Sequence, residues 1–368
     1  MRTLRRVLIV HPYGIGDLLF VTPVLRALRL IPTVEKVDLL IGSRTRKALE
    51  SNPHVDEIFV VDKDLFHARK TSENFRECFE LGRKLRKNRY DLMIDFSLRR
   101  EYAFGGQWLL KSPRRAGFDY RGRAFFHNIR LRIPEGFHGR SVTDFYCDLA
   151  ELAGIPVEDR FLEFYLTDRI RDEAAQWLKK EGCSDILTVA PGGGESWGKD
   201  ADFKRWPARF FADLINRLRG RLVFDRVVIL GTQQEAPLGG EIKRLLEVEC
   251  LDCTGKLPLE MAAALLERSR LFVGNDGGLV HMAHALRTPI IAFFGPVDPV
   301  VYGPYPPSSR AWPVYREGLP CRPCYRKFRY RADCREKECL RDLTPALVLE
   351  AAEKRKFFDP IKICGRKG

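Results

Sequence analysis

Two turns carry the groups in this sequence that could do chemistry. In Gly14-Ile15-Gly16-Asp17 a carboxylate follows a flexible glycine pair. A carboxylate so placed can take a proton from a hydroxyl as a general base, or cap the helix that begins there. In Asn275-Asp276-Gly277-Gly278 two consecutive glycines stand just before Leu279 and His281. They are expected to take the positive φ that other residues resist. Such a turn brings bare backbone N–H groups and the positive end of a helix to one point, which suits an anion such as a phosphate. Asp276 is placed to cap that helix, and His281, within two turns of its start, can reach a bound phosphate. A third loop, Pro191-Gly192-Gly193-Gly194, leaves backbone open to a ligand around Gly193. For any one of these taken alone, a tight turn and nothing more is the plain alternative.

Each turn must be held by an element on either side. Val7–Val10 is an apolar strand ahead of the first turn, and an amphipathic helix follows from Asp17 to about Leu30, with Thr22-Pro23 placed to kink or restart it. Leu271–Gly274 is the strand ahead of the second turn. Leu279, Met282, Ala283 and Leu286 then recur at helical spacing, Thr288-Pro289 ends the helix, and Ile290–Phe294 is a further strand. Ile186–Ala190 leads into the third loop. Strands at Val37–Ile41, Ile58–Val61, Leu92–Asp95, Arg226–Leu230 and Leu251–Gly255 alternate with helices at Glu73–Lys87, Phe145–Ala153, Arg171–Lys180 and Leu259–Ser269. The pattern is α/β. Gly14-x-Gly16 does not read as a dinucleotide fingerprint: position 19 is Leu, and the strand Val37–Ile41 runs into Gly42-Ser43-Arg44 with no carboxylate for a ribose.

A chain of 368 residues, 45% apolar and 30% charged, has the makings of two globular domains. No apolar run reaches the roughly 18 residues of a membrane span. The opening MRTLRRVLIVHPYG is too short in its apolar part for a signal peptide, so a cytoplasmic location is expected. The net charge of +14 calls for an anionic partner. From Arg99 to Arg140 ten basic residues face three acidic ones, with Tyr102, Phe104, Trp108 and Phe118 interleaved. That stretch fits a surface for an anionic glycolipid at a membrane, and also a nucleic-acid surface, although no nucleic-acid motif accompanies it. Of ten cysteines, Cys321, Cys324, Cys334 and Cys339 cluster near zinc-ribbon spacing. A zinc knot, redox-paired thiols and free thiols all remain open.

Two segments bear a family resemblance. Asp276-Gly277-Gly278-Leu279-x-His281-x-Ala-x-Ala-Leu, followed by x-Thr-Pro and a strand ending Phe-Gly-Pro, resembles the signature of glycosyltransferase family nine, the ADP-heptose:lipopolysaccharide heptosyltransferases. Members more often have Thr or Ser where this chain has Gly277. Gly14-x-Gly16-Asp17-Leu-Leu-x-x-Thr-Pro-x-Leu is similar to the family's amino-terminal signature, and Lys204-Arg205-Trp206-Pro207 to its Lys-x-Trp-Pro element. The resemblance implies the GT-B fold, two doubly wound Rossmann-like domains facing across a cleft. Residues 1–165 would carry the base and bind acceptor, 166–345 would bind the nucleotide sugar, and 346–368 would be a helix returning to the first domain. It implies Asp17 as catalytic base, Lys204 against the donor diphosphate and Glu235 near the donor nucleoside. Glu235 can equally cap a helix, and Lys204 can equally be a surface lysine. With Gly193, Asp276, Gly277, Gly278, Leu279 and His281 these form the expected donor site; Arg99, Arg114 and Arg115 form the expected acceptor surface. Asp62-Lys63-Asp64 and Asp200-Ala201-Asp202 mimic the metal motif of the other large glycosyltransferase class, but neither is expected to serve, and no cofactor is expected. The implied reaction moves a heptose from ADP-heptose to the anionic inner core of lipopolysaccharide at the inner membrane face. A different nucleotide-sugar enzyme, such as an epimerase, and a basic nucleic-acid-binding protein are the rival readings.

Overall fold

The computed structural model describes residues 3–61, 71–194, 198–330, 334, 336–359 and 361. The chain divides into two compact units between Tyr165 and Leu166. The first is built on β1 (Arg6–His11), β2 (Lys36–Gly42), β3 (Glu57–Val61), β4 (Leu92–Asp95), β5 (Arg114–Asp119) and β6 (Ile129–Arg132). They form one sheet in the order β3-β2-β1-β4-β5-β6, with every pairing parallel. The second unit holds β7 (Ile186–Ala190), β8 (Arg226–Ile229), β9 (Cys250–Asp252), β10 (Leu271–Asn275), β11 (Ile290–Phe293) and β12 (Ala311–Val314). Their order is β12-β11-β10-β7-β8-β9, again all parallel. Each unit is doubly wound. The central strands are continuous apolar runs because helices cover both faces: every residue of β7 and β10 is buried, and all but the first of β1.

In an open parallel sheet the order reverses at one place, and a crevice forms there outside the carboxyl ends of the strands. In the first unit that place lies between β1 and β4; in the second it lies between β7 and β10. The loops at these two places are the ones the sequence singles out. Gly14–Asp17 follow β1, Gly192–Gly194 follow β7, and Asp276–Gly278 follow β10.

Three strands of these two sheets were not expected from the sequence. β5 and β6 lie inside the basic stretch, where arginines break the apolar run, and β6 reads Ile-Arg-Leu-Arg on the sheet edge. β12, Ala-Trp-Pro-Val, is the other kind of edge strand, one that tolerates a proline. The carboxyl-terminal helix needs a correction. Pro345–Lys354 does not return to the first unit: Val348, Leu349 and Ala352 join the second unit's core with Phe211, Leu214 and Leu218 of the helix Ala208–Leu218. Phe357, Phe358 and Ile361 extend the same packing. The helix has its apolar face satisfied within its own unit. Among the described residues no helix is long and apolar enough to cross a membrane.

Candidate active site

The second unit assembles a compact polar site from three loops at the carboxyl edge of its sheet. Trp206 is the anchor. It is 1% exposed, its ring stacks on Phe293 at 3.9 Å, and its indole N–H donates to Leu343 O at 2.8 Å. Its own backbone N–H donates to Asn275 Oδ1 at 3.0 Å, while Asn275 Nδ2 donates to Pro191 O at 2.6 Å. One asparagine at the end of β10 thus joins the loop after β7 to the turn carrying Lys204. Two residues ahead of Trp206, Lys204 is held in place: its Nζ lies 2.7 Å from Asp276 Oδ2, with both residues buried. Lys204 is therefore no ordinary surface lysine.

The glycines let the loops approach at backbone distance. Gly193 sits at φ +79°, where a side chain is strained. Gly277 is extended, and a Cβ there would fall 2.8 Å from Gly193 O. Neither Gly277 nor Gly278 lies in the left-handed region, contrary to the expectation from the sequence; at Gly277 the need is for room. Nor does Asp276 cap the following helix, Gly278–Ala285. Gly277 is its N-cap residue, no side chain caps it, and the Asp276 carboxylate is turned to Lys204. Helix geometry leaves the first N–H groups, those of Gly278 and Leu279, without intrahelical partners. They lie beside the Lys204–Asp276 pair at the positive end of the helix.

His281 is buried on the first turn of that helix, and its imidazole pKa is pushed down to about 3, chiefly by burial and then by His284 and Lys204. It stands in the site as a neutral ring. Glu235 has the capping role. Its Oε2 accepts from the Thr232 N–H at 2.8 Å and its Oε1 from the Gly194 N–H at 3.0 Å, with the residue 3% exposed. A Cβ on Gly192 would collide with this carboxylate. Both oxygens are engaged by backbone, so Glu235 braces two loops; this geometry does not support the expected ribose contact.

In the first unit Asp17 is the third residue of the short helix Ile15–Leu19, half-buried, beyond the carboxyl end of β1. Gly14 is the N-cap residue, so Asp17 is not the cap. The Tyr13 hydroxyl donates to Ser97 O, which ties the loop after β1 to the loop after β4. Sequence reasoning missed the support beneath. Asp95, the last residue of β4, accepts from the Ser97 N–H at 2.8 Å and faces His127 Nε2 at 3.4 Å, both side chains being buried. A Cβ on Gly117 would strike the His127 ring. The one readable sign was an aspartate ending a buried strand. His11 is also buried, 3.1 Å from the Tyr146 hydroxyl.

Arg99 is exposed at the carboxyl edge, just ahead of the helix Arg100–Trp108. Arg114 and Arg115 are elsewhere. They open β5, level with Leu92 and Met93 at the amino end of the sheet, on the opposite edge from Asp17. Arg114 donates to Ala153 O, and Arg115 to Phe126 O at 2.9 Å and Ser112 O at 2.5 Å. Their guanidinium groups close loops, so the acceptor surface expected of them is corrected.

A profile of glycosyltransferase family 9 (heptosyltransferase) matches residues 78–330. The chain belongs to this family. It is a glycosyltransferase, and its two doubly wound units are those of the GT-B fold. Lipopolysaccharide heptosyltransferase 2 of Escherichia coli K12 is 25% identical over 366 residues, covering 94% of this chain and 97% of its own length. Lipooligosaccharide heptosyltransferase 2 of Haemophilus influenzae is 26% identical over 305 residues, covering 80% and 84%. The solved ADP-heptose lps heptosyltransferase II of E. coli superposes with a TM-score of 0.73 at 21% identity, over 96% of this chain and 99% of that one. A family 9 glycosyltransferase from Veillonella parvula gives 0.76 at 22%, over 96% and 98%.

Asp202 pairs with Lys337. Asp62 and Asp64 lie outside the described residues. Cys321, Cys324, Cys334 and Cys339 are free thiols, and burial pushes that of Cys339 up to about 12. Among the described residues no three Cys, His, Asp or Glu side chains stand together as metal ligands.

Proposed function

We propose that the enzyme transfers a heptose from ADP-heptose to the inner core of lipopolysaccharide, with inversion at the anomeric carbon and without a metal ion. The observation that carries this reading is the meeting of Lys204, the Gly277–Leu279 amides, neutral His281 and the glycine backbone of residue 193 at the β7/β10 switch point. A nucleoside diphosphate is the ligand such a cradle suits. A related E. coli heptosyltransferase was solved with ADP, at 21% identity. The acceptor oxygen attacks the anomeric carbon, the bond to the diphosphate breaks, and Asp17 takes the acceptor proton. Charge growing on the leaving diphosphate meets the helix end, the amides, the His281 ring and Lys204, which do the work a metal ion does elsewhere. Asp276 holds the ammonium in position until the anion arrives. Arg99 is assigned to the anionic acceptor, and the enzyme works at the cytoplasmic face of the inner membrane.

The test is transfer by the full chain from ADP-heptose to a core glycolipid in excess EDTA. Product with the inverted linkage is expected, and Asp17→Asn should lower kcat by about 10² to 10⁴ while ADP affinity holds. Activity abolished by EDTA and restored by Mn²⁺ would refute the metal-free mechanism and turn attention to Asp62 and Asp64. A folded Asp17→Asn enzyme with near-full transfer would move the base elsewhere.

A further inference from the structure

We propose that the face formed by the helix Arg100–Trp108 and the turn at residues 121–128 is the surface on which this enzyme docks to an anionic lipid bilayer. Phe104 and Trp108 lie one turn apart on the outer side of that helix, 48% and 56% exposed, and Phe125 on the turn is 73% exposed. These rings are contiguous. Phe104 lies 6.3 Å from Trp108 and 5.5 Å from Phe126, which in turn lies 5.3 Å from Phe125. An uncovered aromatic chain of this kind on a water-facing surface calls for an occupant.

Among the described residues the core does not supply one. The helix turns its other side inward, where Tyr102, Gly105, Gly106 and Leu109 border an apolar cavity of about 370 Å³ against β1, β2 and β4. Its outer rings are thus surplus to the fold. What surrounds them selects the partner. Arg100 stands one turn before Phe104, Lys111 follows Trp108, and Arg121 opens the turn, all exposed. Glu101 is the one exposed carboxylate on the helix. Arg130 secures the turn by donating to Phe125 O at 3.0 Å and His127 O at 2.6 Å. Aromatic rings at the headgroup level, flanked by lysine and arginine, are what a negatively charged membrane surface binds. A chain carrying +14 adds long-range attraction of the same sign.

The proposal deepens the glycolipid-acceptor reading and rests on it for its purpose, but its test does not need the acceptor. Vesicles of phosphatidylcholine alone, and of phosphatidylcholine mixed with phosphatidylglycerol, are sedimented with the full-length enzyme. Binding to the anionic vesicles is expected, weakening with salt. Phe104→Ser combined with Trp108→Ser should lower the bound fraction at least tenfold. Arg100→Glu should lower it about fivefold for each unit of charge lost. ADP affinity, measured on the same samples, should not change. Absence of wild-type binding, or undiminished binding by the double serine variant, would overturn the proposal. So would a solution dimer that the serine variant splits, because a second copy would then cover the face. If vesicle binding holds while no heptosyl transfer is found, the acceptor reading has failed and the surface stands. If transfer holds while vesicle binding is absent, the surface is wrong.

Discussion

At the scale of single residues, the site is read most clearly from what each polar group is paired with. Lys204 is buried against a carboxylate, and removing either partner would strand a charge, at a cost of about 3–5 kcal/mol. His281 is buried beside that pair and held neutral, with a pKa of about 3. Its folded pKa lies below the ordinary value of about 6.5, so the unfolded chain binds the extra proton first. The stability this ring contributes is complete above about pH 6.5 and is lost as the pH falls toward 3. The melting temperature of the wild type is therefore expected to fall more steeply between pH 7 and pH 4 than that of His281→Asn. Equal slopes would show that the imidazole is not buried in its neutral form. Residue types alone did not show these pairings. Asp276 reads as a helix cap until its partner Lys204, 72 positions away, is known. Glu235 reads equally as a cap or a ribose ligand, and its cap on Thr232 is local, while the Gly194 N–H that donates to its other oxygen lies 41 positions away.

At the scale of elements, two glycine loops from β7 and β10 pack on each other, and this contact shapes the proposed anion site. Gly277 has an ordinary extended backbone, so the cost of a side chain there is the collision with the Gly193 carbonyl 2.8 Å away. Gly277→Ser places a Cβ and a hydroxyl at that contact. In this chain it is expected to lose about 1–3 kcal/mol of stability by overpacking, read as a lower midpoint in urea, with weaker ADP binding. A serine variant as stable as the wild type, binding ADP equally well, would contradict the close packing of the two loops. The strands that carry these loops were legible because β1, β4, β7, β8, β10 and β11 are unbroken apolar runs between turn residues. β5 and β6 were not, because arginines interrupt them and β6 lies on an edge where one side needs no apolar cover. The same blind spot made Arg114 and Arg115 look like ligands: a basic run reads as a surface, whereas pairing shows them closing loops at the amino end of β5.

At the scale of the whole molecule, each unit repeats one plan and puts its functional loops at the carboxyl ends of its central strands. That plan was visible in the alternation of strands and helices. The destination of the last helix was not, because an amphipathic helix tells which face is apolar without telling which unit will cover it. The +14 charge is likewise a property of the whole chain, and it would bind many anions weakly, so affinity by itself proves little. We propose that the second unit holds a nucleoside diphosphate through Lys204 and the neighbouring amides with no metal ion. It is tested most directly by titrating ADP into the full-length enzyme in EDTA by calorimetry, alongside Lys204→Met, which keeps the length of the side chain and removes its charge. Saturable one-to-one binding by the wild type is expected in EDTA. The folded variant is expected to lose at least tenfold in affinity, about 1.4 kcal/mol or more. Binding that requires Mn²⁺, or a Lys204→Met enzyme that binds ADP as tightly as the wild type, would contradict it.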